Sequence, residues 1–238
     1  MMISTETVLK SGRQWLALAL LCTLTAVVSA DDSQAVAGSQ STFIYKPPLR
    51  GTPGARVGGG TRGTGVADAE LMVLVPDHAG LTTQAQPTLY WYAASPVKAQ
   101  FEFALIDDNE IDPLLEIAVS DNPVSGIKQL NISDYDITLK PGVSYQWSVA
   151  LVSDENNRSM DVFSMGIIER IEPDENLKSR VQNSEGTRRV SVYASEGIWY
   201  DALDTISSLI EQSPGDQELL SIRASLLEQV GLPAAAVK

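Results

Sequence analysis

The sequence predicts a mainly β fold with α: an antiparallel β-sandwich followed by a C-terminal α-helical hairpin. Between residues 70 and 171, short apolar runs, several alternating with period two, are separated by turn signals. After Pro173 the apolar spacing changes to three and four, the period of a helix face. Ser213-Pro214-Gly215-Asp216 then divides that helical stretch in two. The predicted strands are 71–75, 88–93, 100–106, 114–120, 127–132, 145–152 and 162–170.

Each strand has an inner and an outer face. Leu89 and Trp91 alternate with Tyr90 and Tyr92; Phe101, Phe103 and Leu105 share one face, as do Tyr145, Trp147, Val149 and Leu151. Core packing explains these stripes better than a ligand platform. Tyr90 and Tyr92 then point outward, either covered by the helices or exposed to a sugar ring or a neighbouring protein. Seven strands in about a hundred residues is the size of an Ig-like or fibronectin type III-like domain. "LKPGVSYQW", 139–147, resembles the proline-glycine corner of fibronectin type III domains, in which the tyrosine hydroxyl bonds back to the corner backbone. That resemblance makes Tyr145 structural.

After Asp174 to Gln182, a short helix or linker, Trp199, Ala202, Leu203, Ile206, Leu209 and Ile210 follow a helical spacing, as do Leu219, Ile222, Leu226 and Val230. Gly231 and Pro233 end the second helix. The hairpin is similar to a tetratricopeptide unit, with Gly197, Tyr200, Ala202 and Pro214 near that repeat's small, aromatic and proline positions. A lone repeat does not bury its own apolar face. It therefore packs on the sandwich or offers a docking face, for which Trp199 and Tyr200 are the candidates.

The N-terminus predicts export. Lys10 and Arg13 precede an apolar run from Trp15 to Val28 that ends in Val28-Ser29-Ala30, the pattern of a signal peptide over 1–30 cleaved after Ala30. An uncleaved anchor is the competing reading. Export places the mature protein in the periplasm or outside the cell, with no stable transmembrane span after cleavage. The single Cys22 lies within the signal, which excludes disulfides, zinc thiolates and cysteine nucleophiles from the mature chain. The single His78 excludes a histidine-based metal cluster, and its turn-like context reads as a solvated loop.

The formal net charge is −13, so phosphate backbones are repelled and nucleic acid is not an expected partner. Residues 31–66 are the exception to that balance. They form a Gly/Pro-rich arm in which Lys46, Arg50, Arg56 and Arg62 stand without a neighbouring acid from Tyr45 onward. Gly58, Gly60 and Gly63 spell G-x-G-x-x-G, but prolines precede it and Thr64-Gly65 follows. The strand and helix that a dinucleotide loop needs are missing from the pattern. The arm reads as a solvated linker or as a basic contact for an acidic partner or anionic polymer. Asp107-Asp108-Asn109-Glu110-Ile111-Asp112 and Asp154-Glu155-Asn156-Asn157 lack calcium-loop spacing and read as solvated turns.

"YKPPLRGTPGARVGGGTRG", "PTLYWY", "LKPGVSYQWSVAL" and "GIWYDAL" together resemble the bacterial domain of unknown function 928 family. The resemblance implies an exported bacterial protein and supplies no activity, cofactor or catalytic residue. The expected organisation is a signal over 1–30, the arm over 31–66, the sandwich over 67–172, helices over 173–234 and a disordered tail over 235–238. The expected function is a noncatalytic interaction module that uses no cofactor or metal and meets an envelope protein or anionic surface. Arg50, Arg56 and Arg62 are the electrostatic contacts, and Trp199 and Tyr200 the hydrophobic ones. Binding of a carbohydrate or envelope polymer through Tyr90 and Tyr92 is the alternative. A hydrolase is the weakest reading, since no nucleophile–base pair stands out.

Overall fold

The computed structural model describes residues 43–48, 56–58, 71–94, 100–119, 125–152, 154 and 156–232. All lie in one compact unit, Ser41–Lys238. The predicted signal, Arg50, Arg62 and the predicted tail fall outside the described residues.

The structure is mixed β and α, with two sheets followed by four helices. The smaller sheet has the order β2 (Leu71–Val73), β4 (Thr88–Ala93), β7 (Gly126–Asn131), all antiparallel. The larger runs β1 (Val57–Gly58), β9 (Val162–Arg170), β8 (Ser144–Val152), β5 (Gln100–Asp107), β6 (Leu115–Val119). Beside β1, the short β3 (Gly80–Thr82) pairs with β9 in parallel.

Alternation builds the core. In β5 and β8 every second side chain is buried. The antiparallel register sets Phe103 opposite Val149 and Leu105 opposite Trp147 on one face. The Phe103 and Trp147 rings stack with centroids 6.0 Å apart, and Trp91 of the smaller sheet reaches Phe101 at 6.2 Å. At the predicted corner, the Lys140 backbone N–H donates to the Tyr145 hydroxyl at 2.8 Å, so this tyrosine holds the turn into β8.

The helices are α1 (Glu175–Gln182), α2 (Gly186–Ser195), α3 (Trp199–Gln212) and α4 (Gln217–Gln229). Asp174 and Asp216 cap α1 and α4 by accepting backbone N–H groups of their first turns. The buried face of α3 carries Trp199, Ala202, Leu203 and Ile206 and packs on α2, β3 and α4. The hairpin's apolar face is thus covered by the chain itself.

Part of the predicted linker arm belongs to this body. Residues 43–48 run across the helices with Phe43 and Tyr45 buried. The Lys46 N–H donates to Ala194 O at 3.0 Å, while Gln229 bonds both the Tyr45 N–H and the Phe43 carbonyl. Gly197 permits this crossing. Its φ is +74°, and a Cβ there would stand 2.7 Å from the Lys46 carbonyl oxygen. Further on, β1 pairs with β9. The reading of the arm as a solvated linker is corrected for these residues: buried apolar side chains and backbone hydrogen bonds fix them.

Candidate functional site

The sequence-predicted contacts divide sharply. Trp199 is 0% exposed, donates its indole N–H to Leu74 O at 2.9 Å, and meets the Tyr45 ring edge-on at 5.1 Å. Tyr200 is 2% exposed, accepts the Trp147 indole N–H at 2.9 Å and donates to Ile167 O at 3.1 Å. Burial pushes its phenol far above the usual range. These two side chains form the joint between helices and sandwich, which corrects their assignment to a docking face.

Arg56 is also turned inward. Its guanidinium donates to Val75 O at 3.0 Å and Val230 O at 3.2 Å, tying the sandwich to the end of α4. Burial lowers its pKa, and nearby Asp77 opposes that shift. Its role as a free electrostatic contact is therefore corrected to that of a cross-link. Tyr90 is buried and donates to Asp204 Oδ1 of α3 at 2.8 Å, so helices cover it as one of the two sequence readings required. Tyr92 stays half-buried. The exposed aromatic pair required for sugar stacking is not formed.

His78 is half-buried instead of solvated. Its Nδ1 lies 2.9 Å from the Ala79 carbonyl oxygen, to which it donates, and its Nε2 lies 3.3 Å from the Tyr45 hydroxyl oxygen. The acidic loops act as turns. Asp107 accepts the Asn109 backbone and side-chain N–H groups, which hold its carboxyl below the usual range. Asp154 accepts the Asn156 N–H. The β5–β8 register pairs Asp107 with Tyr145 and Gln100 with Val152, so these two turns lie at opposite ends of the sheet. Among the described residues, no three His, Cys, Asp or Glu side chains converge on a metal position.

A groove of about 610 Å³ opens where both sheets reach their last strands, β6 and β7, beside α3 and α4. Val119, Ile127, Ile210 and the aromatic pair Tyr90 and Trp91 give it apolar wall. Lys128 and Gln129 of β7, Ser207 and Glu211 of α3, and Arg223 of α4 give it polar wall. Its volume falls within the ordinary range of ligand sites.

The decisive feature is its polar accounting. Trp91 Nε1, Ser207 Oγ and Arg223 Nε are buried atoms with no hydrogen-bond partner among the described residues. All three belong to side chains of this groove. The Ser207 hydroxyl is near enough to influence ionisation of the Tyr90 phenol but makes no geometrically sound hydrogen bond to it. Buried polar atoms are nearly always paired, so three unpaired ones on side chains around one groove, from β4, α3 and α4, set this region apart. Burial lowers the Arg223 pKa, and Tyr90 and Glu211 oppose the shift.

Sequence reasoning missed Arg223, Ser207, Glu211 and Gln129. One signal was present: Arg223 is the sole basic residue between Trp199 and Gln229 in an otherwise acidic hairpin. Finding the groove needed the tertiary placement of β7 against α3 and α4.

A second polar cluster is fully paired. The buried Asp201 carboxylate accepts the Thr82 hydroxyl at 2.7 Å, the Thr83 N–H and hydroxyl, and the Gln84 amide at 3.3 Å. Burial raises its pKa against those hydrogen bonds. This cluster fastens the end of β3 to α3.

Residues 57–238 match the family described as Domain of Unknown Function (DUF928). The chain belongs to that family. The match takes in every strand and helix of this DUF928 fold and all residues lining the groove. It begins after segment 43–48, so the "YKPPLRG" part of the sequence resemblance lies before it. No curated protein matches the chain.

Proposed function

We propose that this DUF928 protein is a noncatalytic protein-interaction module of the bacterial envelope, exported by its N-terminal signal, and that it binds through the groove beside β7. The observation that carries this reading is that three of the side chains lining one groove, Trp91, Ser207 and Arg223, each hold a buried polar atom without a partner among the described residues. Trp199, Tyr200, Arg56 and Tyr90, by contrast, are already engaged within the fold.

The framework fits that role. The three-stranded order β2-β4-β7 and the run β6-β5-β8-β9 support a fibronectin type III-like sandwich, a scaffold that commonly carries interaction surfaces at its edges. The helix pair α3–α4 supports the tetratricopeptide-like reading of its sequence, here with its apolar face turned onto the sandwich. A binding module needs a rigid wall, and the groove is walled by strands and helices rather than loops.

The test compares the tagged mature chain with a Gln129→Trp variant, whose substitution fills the groove mouth from an exposed strand position. Both are incubated with solubilised native envelope. The expected result is one dominant protein retained by the unsubstituted chain and lost from the variant. Equal retention would remove the groove from the mechanism. Turnover of generic ester, phosphate or glycoside substrates by the purified chain would contradict the noncatalytic reading.

A further inference from the structure

A sheet with one solvated face alternates apolar with polar residues along each strand, whereas strands covered on both faces read as nearly continuous apolar runs. β9, VFSMGIIER, reads as the second kind, and so does the SVALV end of β8. The burial alternation and register of β5, β8 and β9 bring Ala104 and Ile106, Ser148 and Ala150, and Met165 and Ile167 together on the face turned away from the core. These six are half-buried, and Phe163 beside them is 46% exposed. Ala118 of β6 and Val57 of β1 carry the same face outward, and both are exposed. The smaller sheet takes up the inner side through β2, and the helices pack at β3 and β4. The described elements thus leave open a sheet face whose sequence is that of a covered one.

Charge and area set the occupant. In a chain of net charge −13 this face is nearly neutral. Glu102 is the one acid beside its apolar centre, and Arg158 binds both Glu102 and Asp161. Glu116 and Glu169 stand at opposite borders, on the last strand β6 and near the end of β9. Two acidic copies approach each other with least repulsion across such a face. With strands about 4.8 Å apart and a rise of about 3.4 Å per residue, β5, β6, β8 and β9 give it a footprint of about 500 Å². Two such faces remove about 1,000 Å² from water before side-chain relief is counted, the level that specific interfaces clear and most crystal contacts do not.

We infer that the protein forms a two-fold dimer in which the outer faces of the larger sheets of two copies pack together, as sheets do in a sandwich. Phe163, Met165 and Ala150 lie in the contact, apolar surface against apolar surface. The dimer uses none of the groove-lining residues, so it presents two grooves on one particle and strengthens binding to any partner that offers two sites.

The experiment is sedimentation velocity of the mature chain, carried up to about 100 µM so that even a weak interface of this size is seen. A dimer is expected, and raising salt should tighten it, because screening lessens repulsion between the acidic copies. Met165→Glu sets like charges in the contact and should weaken the dimer about tenfold or more. Phe163→Glu does the same from a position exposed in the single copy, where the fold tolerates the charge; circular dichroism and Tm check both variants. Gln129→Trp, in the groove, should leave the dimer intact.

A monomer at every concentration would overturn the inference, as would dissociation by salt, a folded Phe163→Glu that stays dimeric, or a dimer broken by Gln129→Trp. Retention of an envelope protein is read separately, so the groove reading survives the loss of the dimer and the dimer survives the loss of the groove.

Discussion

Replacing Tyr200 with phenylalanine removes one oxygen from the middle of a buried chain of donors. In the native protein the Trp147 indole N–H donates to the Tyr200 hydroxyl, which donates to the Ile167 carbonyl. Trp147 and Tyr200 are both within 2% of full burial, so solvent cannot replace the lost oxygen without rearrangement. Two net hydrogen bonds are lost at about 1 kcal/mol each, and the indole N–H is left unpaired at a cost of about 1–3 kcal/mol. Allowing for partial relaxation, Tyr200→Phe should destabilise by about 2–4 kcal/mol. For a domain of this size that lowers Tm by on the order of 10 °C. Urea unfolding followed by tryptophan fluorescence and circular dichroism measures the loss. Trp147→Phe and the double variant complete a cycle with an expected coupling of at least about 1 kcal/mol. A loss below about 0.5 kcal/mol with no coupling would refute the view that this pair joins helices to sandwich.

Other substitutions probe the same joint. Gly197→Ala forces a side chain into a left-handed position and against the Lys46 carbonyl, and should cost about 1–2 kcal/mol from backbone strain alone, read by urea unfolding. Arg56→Ala leaves the Val75 and Val230 carbonyls without their donor and should cost about 1–3 kcal/mol, with Arg56→Lys recovering part; its effect should fall on stability rather than on salt-dependent binding. For Asp201, burial raises the folded pKa, so its contribution is fully present below the ordinary carboxylate range and declines as pH rises through the folded value. The stability of the native chain relative to Asp201→Asn, measured by urea unfolding across acid to neutral pH, should therefore fall with rising pH; a difference that grows would show that the Thr82, Thr83 and Gln84 hydrogen bonds outweigh burial.

The strands legible in the sequence were those whose burial alternates. All seven predicted strands occur, within a residue or two at their ends, because β5, β8 and β9 are long enough for period two to declare itself. β1 and β3 have two and three residues and owe their existence to pairing with β9, so no local pattern announces them. α2 was hidden by its own composition. Val190-Ser191-Val192 alternates like a strand, and a glycine begins the helix; packing on α3 overrides both.

The site was less legible than the fold. Aromatic and basic residues attract attention in a sequence, yet Trp199, Tyr200 and Arg56 are spent on internal hydrogen bonds that only distant chain segments can supply. Tyr90 is covered for the same reason, since Asp204 reaches it from a helix more than a hundred residues away. Arg223 carried a visible compositional signal, but its neighbours in the groove come from β4, β6, β7 and α3.

The most direct test of the groove is site-specific photocrosslinking in living cells. A photoreactive residue is placed at Gln129 in the groove or, as a control, at Phe163, which is 46% exposed on the other sheet. One dominant protein adduct from position 129, lost when Arg223→Gln is added and not formed from position 163, is the predicted result. No adduct from position 129, or the same adduct from both positions, would contradict the account.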